Sequence, residues 1–220
     1  MIAGMRKPVR ENECRNAIGR FHHLAYDCGE LVSPGVDETE EWQDFSGRET
    51  TNDQLRIEDI IDKNAMAYGG SLLHVGIGNS GLAERFHRKF RKIAGITIQQ
   101  GELNRAVSLR IPHYDVRHYN KYSAGLAEVF GGKFDIIVDN NPTSFCCCCM
   151  HLNSMMRNYA EMLKGGGLLL SDRVGLKWVT QPNNKGWGIR IPEWFLIGKS
   201  FGFEGVAFSE NVVGLKLASG

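Results

Sequence analysis

The residues best suited to chemistry begin with a glycine-rich turn at residues 76–81. Its glycines, Gly76, Gly78 and Gly81, are spaced G-x-G-x-x-G, directly after the apolar run 71–75. Glycines at these positions allow a strand to turn sharply into a helix, so that backbone N–H groups face a ligand with no Cβ atoms between them. The expected ligand of such a turn is the nucleotide part of a cofactor.

A polar turn at residues 139–142 carries the second candidate group. It reads Asp139-Asn140-Asn141-Pro142 and follows the apolar run 134–138. Because open α/β sheets bind ligands at the carboxyl ends of their strands, a carboxylate at this point is placed to act as a general base. Asp139 is therefore a candidate catalytic residue, and the alternative is an aspartate that only initiates the turn before proline.

Two histidines are the remaining candidate bases. His113 belongs to a stretch rich in histidine and tyrosine at residues 113–122, and His22 lies in a helix predicted at residues 12–31. An imidazole titrates near neutral pH and is the side chain that most often serves as a general base. The alternatives are a surface side chain for His113 and ordinary, partly buried packing for His22.

From Ser71 onward the apolar pattern alternates between strand-like runs and helix-like segments. Strands are predicted at residues 72–75, 94–98, 110–116, 134–138 and 168–171, and helices at residues 82–92, 102–108, 122–130 and 145–163. A last helix is predicted at residues 193–199, before two strands at residues 203–208 and 211–217 that a tight turn joins. This alternation predicts an α/β fold, with a parallel sheet covered by helices on both faces.

The first part of the chain has a different character. The helical spacing at residues 12–31 ends at a Pro-Gly breaker, and an acidic, loop-like stretch covers residues 37–51. A second helix is predicted from Thr51 or Asn52 onward. We therefore divide the chain into a helical N-terminal segment at residues 1–66 and an α/β domain at residues 67–220.

Several motifs of the α/β domain occur in the order that is found in one large enzyme family. They are the glycine turn 76–81, the strand end 95–98, the strand 134–139 and the turn Leu163-Lys164-Gly165-Gly166-Gly167. Over residues 67–217 this combination resembles the class I S-adenosylmethionine-dependent methyltransferases. The resemblance implies a Rossmann-like, mostly parallel seven-stranded sheet, an antiparallel C-terminal hairpin and an N-terminal helical lid over the acceptor site.

The resemblance also implies S-adenosylmethionine as the cofactor and assigns residues to it. These residues are His74, Gly76, Gly78, Asn79, Gly81, Thr97, Ile98, Glu102, Asp115, Val116 and Asp139. His74 and Thr97 depart from the family pattern, which usually has an acidic residue at both places, and Glu102 would then supply the carboxylate for the ribose hydroxyls. Asp115 would receive the adenine amino group, with Val116 against the ring. The alternatives are a solvated glutamate favoured by the helix dipole and a loop aspartate that caps a turn.

The activity that the resemblance implies is methyl transfer to an oxygen or nitrogen nucleophile of a small-molecule acceptor. Aromatic residues that would wall the acceptor site are Trp42, Phe45, Trp178, Trp187 and Trp194. Two alternatives stay open: an NAD(P)-dependent oxidoreductase with a dinucleotide-binding fold, and a non-catalytic, nucleoside-binding protein with a methyltransferase-like fold. The oxidoreductase is disfavoured because no acidic residue ends the second predicted strand.

The composition is that of an ordinary globular protein. Of 220 residues, 42% are hydrophobic and 23% charged, and the formal net charge is +1, so no overall field favours nucleic acid or an anionic membrane. Four of the six cysteines are consecutive at residues 146–149, which predicts buried packing rather than a metal or redox site. We expect a cytoplasmic protein with no bound metal and no nucleic-acid or membrane partner, and we leave open whether it forms a homo-oligomer.

Overall fold

A seven-stranded, mostly parallel sheet organises the fold of the computed structural model, which describes residues 43–123, 125–144, 146, 149–177 and 189–219. The strands are β1 (Ser71–Val75), β2 (Lys92–Thr97), β3 (Tyr114–His118), β4 (Phe134–Asp139), β5 (Leu163–Asp172), β6 (Phe203–Ala207) and β7 (Val212–Leu217). Their order across the sheet is β3-β2-β1-β4-β5-β7-β6. Strands β1 to β5 run parallel, whereas β7 is antiparallel to both of its neighbours. The predicted parallel sheet and antiparallel C-terminal hairpin are confirmed.

Helices cover both faces of this sheet. They are α1 (Asn52–Lys63), α2 (Gly81–Phe86), α3 (Gln100–Ser108), α4 (Leu126–Val129), α5 (Cys149–Met162), α6 (Arg173–Leu176) and α7 (Ile191–Ser200). On one face Leu72 and Val138 pack with residues of α1 and α2. On the other face Leu73 and Ile137 pack with residues of α4, α5 and α7. Each fully buried leucine or isoleucine side chain contributes about 1.5–3 kcal/mol through removal from water, and the two cores together position the sheet's carboxyl edge.

Helix α1 belongs to the core of the sheet, although it lies in the predicted N-terminal segment. Its Ile57 and Ile61 are fully buried on the α2 side of the sheet. The Arg56 guanidinium also binds the buried Asp172 carboxylate at the end of β5 with two hydrogen bonds, at 2.9 and 2.8 Å. The predicted boundary at residue 66 thus separates two stretches of sequence that pack together.

Two of the basic side chains at residues 85–92, Arg85 and Lys89, pair with acidic residues of α1. The Arg85 guanidinium lies 3.4 Å from the Glu58 carboxylate and 2.8 Å from the Asp59 carboxylate, and Lys89 pairs with Asp62. The helix predicted at residues 82–92 is shorter in the structure, because α2 ends at Phe86. Arg85 and Lys89 pair with the acidic face of α1.

The third strand begins later than the apolar pattern predicts. The prediction placed it at residues 110–116, whereas β3 begins at Tyr114 and ends at His118. β3 is an edge strand, and its residues are half-buried or exposed. An edge strand of this kind lacks the continuous apolar run that marks a buried parallel strand, which explains the error.

Within the described residues, no helix has the length and apolar character needed to cross a membrane. In the same part of the chain, no cluster of histidine, cysteine, aspartate or glutamate side chains is arranged to hold a metal ion. Cys146 is buried, as predicted for the cysteine run. Several predicted features lie outside the described residues, namely the helix at residues 12–31 with His22, and Trp42, Trp178 and Trp187.

Candidate active site

The glycine turn connects β1 to α2 at the carboxyl edge of the sheet. Gly76 and Gly78 have φ angles of +71° and +52°, in the left-handed region that side chains with a Cβ atom rarely adopt. A Cβ atom built on Gly76 would meet no other atom within 4 Å, so the backbone faces open space at this position. The turn therefore has the exposed backbone that the sequence predicted for cofactor binding.

Glu102 lies beside this turn and is buried there, with 5% of its surface exposed. The carboxylate accepts hydrogen bonds from the Thr97 hydroxyl at 2.6 Å and from the Gly78 N–H at 3.2 Å. Burial raises the pKa of the Glu102 carboxyl, while the Thr97 hydrogen bond opposes that shift. The structure thus brings together the end of β2, the glycine turn and a carboxylate from α3, which are the three elements predicted to hold a ribose.

Residues 43–50, which we call the strap, pack against the glycine turn and α3. The Phe45 N–H donates to the Glu102 carboxylate at 3.3 Å, and the Asn79 side-chain amide donates to the Arg48 carbonyl at 2.8 Å. A Cβ atom on Gly81 would lie 2.5 Å from the Thr50 hydroxyl oxygen. Asn79 and Gly81, both predicted to contact the cofactor, therefore hold the strap in this structure.

His74 lies on β1, two residues before the first glycine. It is buried, and its Nδ1 atom has no hydrogen-bond partner. Burial lowers the pKa of His74 to about 4, so the imidazole is neutral at neutral pH. The position that is usually acidic in the resembling family is therefore occupied here by an uncharged side chain.

The residues predicted to contact adenine lie within β3 rather than after it, because the strand ends two residues later than predicted. Asp115 and Val116 lie inside the strand, where they pair with Ala94 and Gly95 of β2, and Asp115 forms an exposed ion pair with Arg117. The strand ends only at His118, so the residues that follow its carboxyl end are Tyr119 and Asn120. The predicted end of the strand at residue 116 was two residues too early, and the adenine contacts of Asp115 and Val116 stay a prediction. The Nε2 atom of His118 lies 3.0 Å from the carbonyl oxygen of Ile98, the residue that follows β2.

Asp139 ends β4 and is bound by a buried lysine and a buried tyrosine. The Lys121 ammonium lies 3.1 Å from Asp139 Oδ2, and the Tyr159 hydroxyl donates to the same oxygen at 2.6 Å. Asp139 is 1% exposed and Lys121 is 8% exposed. The carboxylate that we predicted as a general base is thus already engaged by two side-chain donors, and it also accepts from the Asn141 N–H at 3.2 Å. Sequence reasoning missed Lys121 and Tyr159, although a buried carboxylate after β4 requires partners of this kind.

The two predicted catalytic residues that the structure describes, Asp139 and His113, lie at opposite edges of the sheet. His113 is exposed and directly precedes β3, at the amino edge of the sheet and opposite the glycine turn. His22 lies outside the described residues. Trp194 was predicted to form a wall of the acceptor site. It lies on α7 and is fully buried in the hydrophobic core on that face of the sheet. Of the two described catalytic candidates, Asp139 lies at the carboxyl edge.

The turn after Asp139 packs against α6 at a glycine. A Cβ atom on Gly175 would lie 1.8 Å from the Asn140 carbonyl oxygen. We expect Gly175→Ala to destabilise the protein by about 2 kcal/mol, because the turn must move away from the helix. For a chain of this size the melting temperature should fall by about 4–8 °C.

Thermal unfolding followed by circular dichroism measures this change. Gly132→Ala is the matched control, because a Cβ atom at Gly132 meets nothing within 4 Å. A Gly175→Ala variant that melts with the wild-type protein would show that the turn is not packed as described.

Comparison with known proteins finds the same fold at low sequence identity. No protein-family profile matches the chain, and no curated protein matches its sequence. Among solved structures, an S-adenosylmethionine-dependent methyltransferase from Clostridium acetobutylicum ATCC 824 is similar with a TM-score of 0.60 and 12% identity, covering 76% of this chain and 92% of its own.

Two further solved structures are methyltransferases that differ in what they act on. CalS10, an amino pentose methyltransferase from Micromonospora echinaspora with S-adenosylmethionine bound, has a TM-score of 0.54 and 14% identity, covering 73% of this chain and 88% of its own. The carbon methyltransferase CurJ has a TM-score of 0.52 and 14% identity, covering 72% of this chain and 51% of its own. The strand order and these superpositions together show that the chain has the class I S-adenosylmethionine-dependent methyltransferase fold.

Proposed function

We propose that this protein transfers a methyl group from S-adenosylmethionine to an oxygen or nitrogen atom of a small-molecule acceptor. The observation that carries the proposal is the buried Glu102 carboxylate, which lies between the Thr97 hydroxyl and the Gly78 N–H at the carboxyl ends of β1 and β2. A carboxylate at this point is an acceptor for the two hydroxyls of a ribose. It performs this task although the usual acidic residue at the end of β2 is replaced by threonine.

The residues around the glycine turn fit the cofactor. Gly76 leaves open space beside the backbone, Glu102 offers carboxylate oxygens for the ribose, and the strap at residues 43–50 covers the adjoining surface. Tyr119 and Asn120, which follow the end of β3, take the place that we first assigned to Asp115 and Val116. When bound, S-adenosylmethionine supplies a methyl group that is already activated by the positive sulfur.

What the protein must add is the position of the acceptor. Asn140 and Thr143 lie on the loop after β4, are buried, and carry side-chain oxygens that have no hydrogen-bond partner. Buried polar atoms without a partner cost free energy, and a polar acceptor molecule would supply the missing hydrogen bonds. We therefore assign the acceptor to this loop, with Asn140 and Thr143 as its contacts.

Asp139 serves a different purpose in this proposal from the one that the sequence indicated. Its carboxylate oxygens already accept hydrogen bonds from Lys121 and Tyr159, so they are engaged in the structure of the loop. Asp139 therefore shapes the loop after β4. His22 remains the proposed base for an acceptor that must lose a proton.

Thermal unfolding in the presence of two kinds of ligand tests the proposed cofactor. At about 100 times its dissociation constant, a ligand stabilises the folded state by about 2.7 kcal/mol, which raises the melting temperature of a chain of this size by about 5–10 °C. We expect this rise with S-adenosylhomocysteine and no rise with NADH or NADPH. A rise with the nicotinamide cofactors alone would contradict the proposal and favour the oxidoreductase.

Incubation with methyl-labelled S-adenosylmethionine separates an enzyme from a protein that only binds the nucleoside. Label should pass to small molecules with free hydroxyl or amino groups, and the panel should include carbon nucleophiles, since CurJ is a carbon methyltransferase. Transfer to carbon alone would overturn the assignment of the acceptor atom. Binding of S-adenosylhomocysteine without transfer to any member of the panel would favour the non-catalytic alternative.

A further inference from the structure

Lys121 binds several parts of the loop that follows β4. Its ammonium group lies 3.1 Å from an Asp139 carboxylate oxygen, 2.6 Å from the Asn141 carbonyl oxygen and 3.3 Å from the Ser144 hydroxyl. These acceptors use the donor capacity of the ammonium group, which has three N–H bonds. The side chain therefore ties the beginning, middle and end of residues 139–144 to one point.

Tyr122 continues this contact along the same loop. Its hydroxyl lies 3.1 Å from the Pro142 carbonyl oxygen, and it also contacts the Ser144 carbonyl oxygen. Lys121 and Tyr122 are adjacent residues of the segment between β3 and α4, so one short segment binds residues 139, 141, 142 and 144. The two residues of the loop that this segment does not hold, Asn140 and Thr143, are those with unpartnered side-chain oxygens.

Helix α5 fixes this segment from the other side. The Asn158 side-chain amide donates to the Lys121 carbonyl at 3.3 Å and to the Ser123 carbonyl at 2.8 Å. The next residue of the same helix is Tyr159, whose hydroxyl donates to the Asp139 carboxylate. Lys121 is thus held at its backbone while its ammonium group holds the loop, and the arrangement joins the carboxyl ends of β3 and β4.

The charges of Lys121 and Asp139 compensate each other in a buried place. Burial lowers the pKa of the Lys121 ammonium, and the Asp139 carboxylate opposes that change. An uncompensated carboxylate at this edge of the sheet would attract cations, including any positive group that is bound beside the loop. Lys121 removes that attraction and at the same time fixes the shape of the loop.

We propose that Lys121 is a positioning residue for methyl transfer, which holds the acceptor loop at residues 139–144 in its working shape and neutralises Asp139 beside the transferred group. This inference rests on the proposed function, because it places the transferred methyl group at the loop after β4. Nothing in the sequence motifs of the chain assigns a function to Lys121.

Two ligands that differ only at the reacting centre test the proposal without a known acceptor. S-adenosylhomocysteine lacks the methyl group, whereas sinefungin carries a positive amino group at that place. We expect Lys121→Met to shift the ratio of the two dissociation constants about tenfold in favour of sinefungin, because Asp139 is left without its cationic partner. Lys121→Arg, which keeps the charge, should stay within about threefold of the wild-type ratio.

Lys164→Met is the matched control for these measurements. Lys164 also pairs with an aspartate of β4, at 2.7 Å, but that residue is Asp135 near the opposite end of the strand. The ratio of the two dissociation constants for Lys164→Met should equal that of the wild-type protein. If the wild-type protein binds both ligands and Lys121→Met leaves the ratio within about twofold, the positioning role is wrong. If the wild-type protein binds neither ligand, the proposed function itself fails.

The double variant Lys121→Met/Asp139→Asn keeps the proposal testable where the single variant does not fold. Removal of one partner of a buried ion pair is strongly destabilising, whereas removal of both charges is tolerated better. In the double variant, hydrogen exchange at the amide of Ser144, which donates to the Asn141 carbonyl, should be about tenfold faster than in the wild-type protein, while Leu169 of β5 is unchanged. Unchanged exchange at the loop would show that Lys121 does not hold it.

Discussion

Replacement of Gly78 by valine is expected to weaken the binding of S-adenosylhomocysteine about hundredfold. Gly78 has a φ angle of +52°, a conformation in which a β-branched residue is strained. A Cβ atom at Gly78 would also lie 3.7 Å from the Cβ atom of Phe45 in the strap, so the two γ-methyl groups of valine would press on that segment. The Gly78 N–H, which donates to Glu102, would move with the backbone, and the proposed ribose site would lose its shape. Isothermal titration calorimetry measures the loss.

Gly131→Val separates this local effect from backbone strain. Gly131 has a similar φ angle, +60°, and no atom within 4 Å of its Cβ position, and it lies between α4 and the amino end of β4. Both variants should lose a similar amount of stability, about 1–3 kcal/mol, but only Gly78→Val should lose affinity. Equal affinity in Gly78→Val and Gly131→Val would remove the glycine turn from the cofactor site.

The sequence predicted the central strands and the glycine turn because their signals are local. β1 and β4 are mostly apolar, and both are buried along nearly their whole length. The positions of Gly76 and Gly78 likewise follow from a backbone requirement that a few neighbouring residues determine. β3 could not be placed as well, because an edge strand buries few side chains and its boundaries depend on pairing with β2.

The contacts that complete the candidate site could not be predicted from the sequence. Phe45 and Glu102 are separated by 57 positions, and their hydrogen bond depends on how the strap crosses the turn. Lys121 and Asp139 are 18 positions apart, and nothing local distinguishes Lys121 from an exposed loop lysine. The sequence identified Asp139 and Glu102 as carboxylates at useful places, but only the tertiary structure shows that one is neutralised and that the other is bound by neutral donors.

Glu102 is the second residue whose replacement should have a large effect. In Glu102→Ala the Thr97 hydroxyl and the N–H groups of Gly78 and Phe45 lose their acceptor. Hydrogen bonds to a charged group contribute about 1.5–3 kcal/mol each, so the loss of one to the ribose alone corresponds to a weakening of about 10–150-fold. We expect Glu102→Ala to bind S-adenosylhomocysteine about thirtyfold more weakly, and a smaller loss in Glu102→Gln, which keeps one oxygen acceptor.

The ionisation of Glu102 allows affinity and stability to be separated. Burial raises the pKa of this carboxyl above its ordinary value, so the folded protein binds the proton more tightly than the unfolded chain does. The carboxyl therefore favours folding below the unfolded pKa and loses that contribution as the pH rises through the folded value. At neutral pH, Glu102→Gln should be at least as stable as the wild-type protein although it binds the ligand more weakly.

A matched control and a pH series complete this test. Glu84→Gln changes an exposed carboxylate on the neighbouring helix α2, which pairs only loosely with Arg105 at 3.5 Å, and its affinity should equal that of the wild-type protein. As the pH falls through the raised pKa of Glu102, the wild-type affinity should approach that of Glu102→Gln, because both then present a neutral side chain. A wild-type affinity that stays constant over this range, with Glu102→Gln equal to it at neutral pH, would mean that the ribose is held elsewhere.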